Sequence, residues 1–344
     1  MKLGLYLGYS GARLSLPVET VQLAERLGYD SVWTAEAYGS DAVTPLAYLA
    51  AVTRRIRLGT GIMQLAARTP TAAAMAVATL DALAGGDRVI AGLGVSGPQI
   101  VEGWYGQPWG RPYWRLRDYV AIMKKVLARK EPVRHDGREI SLPYIGPGAL
   151  GVGKPLTSIL HANPRIPIWL GTGTEANVKL TAEVADGWLP LGFVPTSMKI
   201  VRPSLEEGFR RAGHGKSLED FEIQARAQVI ITDDVRSALA ELKPRIALYV
   251  GGMGHRDKNF HNDMMVRRGY GDAAARIQEL YLAGRKEEAT AAVPDEFCDE
   301  GALVGPVSRI RERYRPWAES GITGLTVVAD RPEALELMAD LARS

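Results

Sequence analysis

A closed barrel of eight parallel strands alternating with helices, the α/β fold known as the (β/α)8 TIM barrel, is the class that this 344-residue sequence predicts. Three observations predict it. Short apolar runs alternate with amphipathic stretches in βα order through the first half, which implies parallel strands with helical crossovers. After a break the rhythm resumes, and the strand count reaches eight. The excess over the roughly 250 residues typical of such a barrel falls in two insertions, about 131–165 after the fourth strand and 250–303 between the seventh and eighth.

The elements follow in order. Leu3–Tyr9 reads as the first strand, and Pro17–Leu27 as a helix with Pro17 in its first turn and Gly28 as its stop. Ser31–Ala37 is the second strand and Asp41–Val52 the second helix. A third strand in Leu58–Leu65, an alanine-rich helix in Thr69–Gly86 and a fourth strand in Arg88–Gln99 come next, then a helix over Arg115–Ala128. VRHDGREISLP reads as a hairpin about the Asp136-Gly137 turn, followed by a Gly/Pro-rich loop. Strands Ile166–Gly171, Trp188–Phe193 and Phe221–Thr232 alternate with helices Thr174–Val184, Ser197–Ala212 and Val235–Val250. Asn259–Thr290 reads as mostly helical. Helix Val307–Ala318, strand Gly324–Val328 and helix Pro332–Ala342 close the chain.

Composition excludes several function classes. Hydrophobic residues are 46% and charged residues 24%, enough apolar side chain for a substantial core. The net charge of +3, with both signs interspersed, gives no footprint for nucleic acid or an anionic membrane. Cys298 is the single cysteine, which excludes an intrachain disulfide and a multi-cysteine metal site; its neighbours in PDEFCDE would raise its pKa. The five histidines show no HExxH or similar spacing, so no metal is expected. KLGLYLGY follows Met1 without the pattern of a signal peptide, and no apolar run spans a bilayer, so a cytoplasmic protein is expected.

Two βα units end their strands in glycine-rich turns, LGTGIMQL and RVIAGLGVSGPQ, where a backbone can approach a flat or phosphorylated ligand. Gly92–Gly97 spells GxGxxG, but at the fourth strand and without the acidic residue about 20 positions on that a dinucleotide fold needs. Gly148–Lys154 imitates a P-loop and fails at Pro155. The glycine loops make better sense at the C-terminal face of a barrel, where ligands bind. Gly173 and Thr174 at the start of a helix offer N–H groups and a hydroxyl to an anion, or cap that helix with Glu175 in its first turn. Glu36, at the predicted end of the second strand, is a candidate general acid or substrate anchor, or else a capping acid. Trp104, Tyr105, Trp109, Tyr113 and Trp114 form either a lid or packing over the barrel top. GGMGHRDKNFHND, with Arg256, Lys258 and His261, is either a binding loop for an anionic cofactor tail or a solvated loop.

With these residues placed, the chain resembles the luciferase-like flavin and deazaflavin oxidoreductases, and among them those using coenzyme F-420 (8-hydroxy-5-deazaflavin). DSVWTAEAYGSDAVTPLAYLAA, RLGTGIMQLAARTP, RVIAGLGVSGPQIVEGWYG, AEVADGWLP and YVGGMGHRDKNFHND carry the resemblance nearly end to end. It implies one barrel domain over 1–344, a homodimer, and an enzyme moving hydride between the deazaflavin and a small organic substrate. The rival readings are an FMN-dependent monooxygenase and a non-catalytic flavin-binding protein. The resemblance also implies a cis peptide at Gly61–Ile62 against the ring, with Met63, Val95, Ser96 and Gly97 around the ring and its ribityl chain, and Gly173 with Thr174 at the phosphate. Glu36 is then the expected catalytic group. Family dehydrogenases look to have a histidine at position 36 and an acid near 97, where this chain has glutamate and glycine.

Overall fold

A computed structural model describes every residue except Gly254. Its strands are β1 (Lys2–Gly8), β2 (Ser31–Thr34), β3 (Arg57–Thr60), β4 (Met63–Gln64), β5 (Val89–Gly94), β6 (His135–Asp136), β7 (Ser141–Leu142), β8 (Ile168–Thr172), β9 (Gly187–Pro190), β10 (Glu222–Ile231), β11 (Ala302–Gly305) and β12 (Gly324–Val328). Parallel pairing runs β1-β2-β3-β5-β8-β9-β10-β12 and returns to β1, which closes an eight-stranded barrel. The expected fold class is therefore the observed one.

Large side chains fill the barrel because glycines in register on the neighbouring strands make room for them. Trp33 and Trp169 meet inside with ring centroids 5.3 Å apart. A Cβ at Gly59 would lie 2.4 Å from the Trp33 ring, and one at Gly187 would lie 2.5 Å from that of Trp169. At the N-terminal end of the barrel Arg57 donates to Asp30 and Glu222, joining β3 to β10 across the interior. These ion pairs close the barrel interior at its N-terminal end. Outside, buried leucines, valines and alanines of the helices pack on the strands as one continuous core.

Helix ends follow local chemistry. Gly28, at φ 88°, stops Val18–Leu27 in the left-handed conformation that glycine tolerates. The Thr69 hydroxyl caps Pro70–Leu83, and Thr174 caps Glu175–Val184 by accepting from the Asn177 N–H.

Several expectations need correction. The second strand stops at Thr34, so Glu36 stands on a loop. The third is split into β3 and β4 by a cis peptide at Gly61–Ile62. The hairpin pairs His135 with Leu142, and its turn is the longer 137–140, because the Asp118 carboxylate accepts from the Glu139 and Ile140 N–H groups. The second insertion contains a strand, β11, which pairs parallel with the C-terminal half of β10 while the N-terminal half of β10 pairs with β9. Around β11 the helices Phe260–Arg267, Gly271–Leu282, Lys286–Ala291 and Asp295–Glu300 enclose a second core that includes Met265, Ile277, Leu280 and Phe297. No helix among the described residues is long and apolar enough to cross a membrane.

Candidate active site

A cavity of about 640 Å³ opens at the C-terminal end of the barrel, over Trp33. One wall is built around the Gly61–Ile62 cis peptide. Ile62 projects between β5 and β8: a Cβ at Gly94 would lie 2.8 Å from its Cγ1, and one at Gly171 2.8 Å from its Cγ2. These two glycines are therefore explained by the bulging side chain itself. Val95, Ser96 and Gly97 continue this wall, with Ser96 at φ 59° and Gly97 preceding the short helix Pro98–Gly103. Gly173, Thr174 and Asn177 line the adjoining side, at the N-terminus of Glu175–Val184. Glu175 turns to Lys179 at 2.6 Å and does not line the cavity.

Met63 lies apart from the other predicted positions. Its side chain is fully buried in the main core, and the cavity is lined instead by its neighbour Gln64. The Gln64 amide nitrogen donates to the Glu36 carbonyl, which leaves its buried Oε1 without a donor.

Glu36 is at the cavity margin, only 6% exposed, and both its oxygens are engaged. Arg68 grips them as a fork, at 2.7 Å to Oε1 and 3.0 Å to Oε2. The Gln64 N–H adds 2.7 Å to Oε1, and the Ala42 N–H adds 3.1 Å to Oε2. A carboxylate accepting four hydrogen bonds from Ala42, from Gln64 of β4 and from Arg68 is built to hold these segments together.

The opposite wall carries residues that sequence reasoning missed. Gln224, Arg226 and Gln228 of β10 all line the cavity. Their spacing of two within EIQARAQVII was the available signal, a polar face on an apolar strand. The Arg226 guanidinium lies 4.7 Å over the Tyr6 ring, and that of Arg245 5.6 Å from the Tyr249 ring. Tyr249 shares a 3.1 Å hydrogen bond with the Tyr9 hydroxyl and packs edge-on to His261, centroids 4.7 Å apart. Burial drives the His261 pKa down to about 4, helped by Arg226 and Arg245, so its ring is neutral at pH 7. Burial also raises that of Tyr9, with Tyr249 adding to it.

Within the late glycine-rich run, Lys258 and His261 line the cavity and Arg256 does not. None of the five clustered aromatics lines it either. Two of them pack over the barrel top, where the Tyr105 hydroxyl donates to the Ala37 carbonyl and Trp109 stacks on Phe260, while Trp104 is 62% exposed. Cys298 is buried at the edge of the cavity, and desolvation more than its acidic neighbours takes its pKa up to about 11, which keeps it a thiol at pH 7.

The barrel, closed by ion pairs at its N-terminal end, thus opens at its C-terminal face into a cavity with Ile62 on one wall and Arg226 on the other. The chain belongs to the luciferase-like monooxygenase family, whose model matches residues 2–324. It is 48% identical over 99% of both chains to a Mycobacterium tuberculosis protein provisionally named a coenzyme F420-dependent oxidoreductase. Among solved structures it is similar to the coenzyme F420-dependent tetrahydromethanopterin reductase of Methanopyrus kandleri, with TM-score 0.77 and 23% identity over 98% of this chain and 97% of that one. It is also similar to an F420-dependent secondary alcohol dehydrogenase, with TM-score 0.76 and 17% identity over 99% and 97%. These two likenesses concern the fold.

Proposed function

We propose that this protein is a coenzyme F-420-dependent oxidoreductase that transfers hydride between C5 of the deazaflavin and a small organic substrate at the barrel mouth. The observation that carries this reading is the Ile62 side chain on the cavity wall, seated between Gly94 and Gly171, which gives a flat ring an apolar support. The named function of the relative at 48% identity favours F-420 over FMN. The residues suit such a group: the unpartnered Gln64 Oε1 lacks a donor of the kind a ring N–H provides, and the backbone at Thr174 starts a ten-residue helix. When bound, a deazaflavin supplies a carbon that gives or accepts hydride and does not activate oxygen.

In this reading Ile62, Val95, Ser96 and Gly97 wall the ring, the Met63 contribution is limited to its main chain, and Gly173 with Thr174 receive the phosphate. Glu36 positions the site. Its fork with Arg68 fixes the loop that presents Gly61–Ile62, and its own N–H donates to the Ile62 carbonyl at 3.3 Å. The chain is further proposed to act as a cytoplasmic homodimer, with the exposed apolar chains of 144–160 as part of the contact.

Parallel titration with oxidised F-420 and FMN, followed by absorbance and fluorescence, tests the cofactor. Tighter binding of FMN would overturn it. Gly94→Ala should weaken F-420 by about tenfold or more, because the new methyl displaces Ile62. If Glu36→Gln left single-turnover hydride transfer and cofactor affinity unchanged, the role given to Glu36 would be lost. Binding of F-420 with no turnover of any substrate would favour a non-catalytic carrier.

A further inference from the structure

The closed strand order places β10 four strands from β3 in either direction, so the wall bearing Arg226 faces the Gly61–Ile62 bulge across the barrel. Arg226 rises from the inner face of β10, in register with Thr326 of β12, and it is exposed to the cavity. Arg245 reaches the same space from helix Val235–Ala247. Among the described residues neither arginine forms a salt bridge within 4.0 Å. The carboxylates nearby do not neutralise them: Glu36 is committed to Arg68, and Glu241, one turn before Arg245, makes no ion pair with it. Elsewhere the chain pairs its arginines freely, as Arg57, Arg68, Arg117, Arg268 and Arg309 show. Arg226 and Arg245 are unpaired guanidinium groups beside the Tyr6, Tyr9 and Tyr249 rings. Lys258 and Arg267 add to the same lining two further cations without an ion pair among the described residues, so the cavity is set to take an anion.

We propose that Arg226 and Arg245, with His261 and the Tyr9–Tyr249 hydroxyl pair, form a subsite for the oxyanion of a small organic acid, so that the substrate is a carboxylate or a phosphate ester. The planar guanidinium fork matches either oxyanion, and the Tyr6 and Tyr249 rings hold the two forks in place. A neutral His261 adds a donor without a third charge. The inference rests on the hydride-transfer reading for the word substrate, but the anion site itself does not. The alternative owner of these arginines is the cofactor's own anionic tail. Their place across the barrel from the bulge favours the substrate.

Calorimetric titration of the purified protein with succinate and with inorganic phosphate tests this, alongside fluorescence titration with F-420. At least one probe anion should bind the wild type, and Arg226→Gln and Arg245→Gln should each weaken it by about tenfold or more. Arg226→Lys should recover part of the loss. Affinity for F-420 should change less than about threefold in these variants, and their unfolding midpoints should match the wild type because both side chains face the cavity. Absence of probe binding, or unchanged binding in both variants, overturns the proposal. A large loss of F-420 affinity with anion binding intact assigns the arginines to the cofactor tail and also overturns it. If F-420 fails to bind while the anion effects appear, the cofactor reading falls and the anion site stands.

Discussion

The two insertions differ in kind. Residues 131–165 hold one two-residue-strand hairpin and then an irregular loop; Ile159 is 93% exposed and Leu150 89%. Residues 250–303 hold four helices and the start of β11 around an apolar core shared with helix Val235–Ala247, and they supply Met253, Lys258, Phe260, His261 and Met264 to the cavity. The first adds nothing to that lining. An insertion contributes rigid chemistry to a site only when it buries enough apolar area to order itself, because fixing each residue costs about 1–2 kcal/mol of backbone entropy. The second meets that condition and the first leaves its apolar chains in water. A second copy of the chain is the proposed cover for them.

Mutation should separate the two regions by size of effect. Phe297→Ala, in the core of the second insertion, should cost about 3–5 kcal/mol in denaturant unfolding, since Phe297 is 4% exposed and lies under the Arg268 guanidinium at 3.9 Å. A cost below about 1 kcal/mol would mean that this core is not cooperative. The next effect is one of pH. The folded-state pKa of His261, about 4, lies below its ordinary 6.5, so between these values the unfolded chain binds the extra proton. Stability should therefore fall as pH drops from about 6.5 to about 4, by at most about 1.4 kcal/mol per pH unit from this group. His261→Gln should flatten that part of the stability–pH curve; an unaltered slope would refute the assignment. The smallest effect is expected in the first insertion. Ile159→Ser should shift chain stability by no more than about 0.5 kcal/mol, while sedimentation velocity should show a weakened dimer. A dimer of unchanged strength would remove 144–160 from the proposed contact.

Much of the fold was legible because parallel strands buried on both faces read as apolar runs between helices. Helix Ser197–Ala212 and strand Gly324–Val328 match their predicted bounds. The strand ALVG of β11 was not legible, being four residues long and just behind the short acidic helix DEFCDE. The site divides similarly. Gly94 and Gly171 are visible as glycines, yet their partner is Ile62, which only the folded backbone brings between them. Glu36 is visible as an acid, but Arg68 lies 32 residues on, and no periodicity joins the two. Arg226 is marked in the sequence only by its alternation with Gln224 and Gln228 on one face of an apolar strand.

The double pairing of β10 has a further consequence. Its first residues are zipped to β9 and its last four to β11, so both ends of the second insertion are anchored to a single strand: one by leaving it into Val235–Ala247, the other by returning to lie alongside it. Such a graft cannot swing on a hinge without tearing parallel ladder bonds. Its amides in Gln228–Ile231 and Ala302–Gly305 should therefore exchange with solvent deuterium as one foldon, and the mouth of the barrel keeps its shape because its rim is woven into its wall.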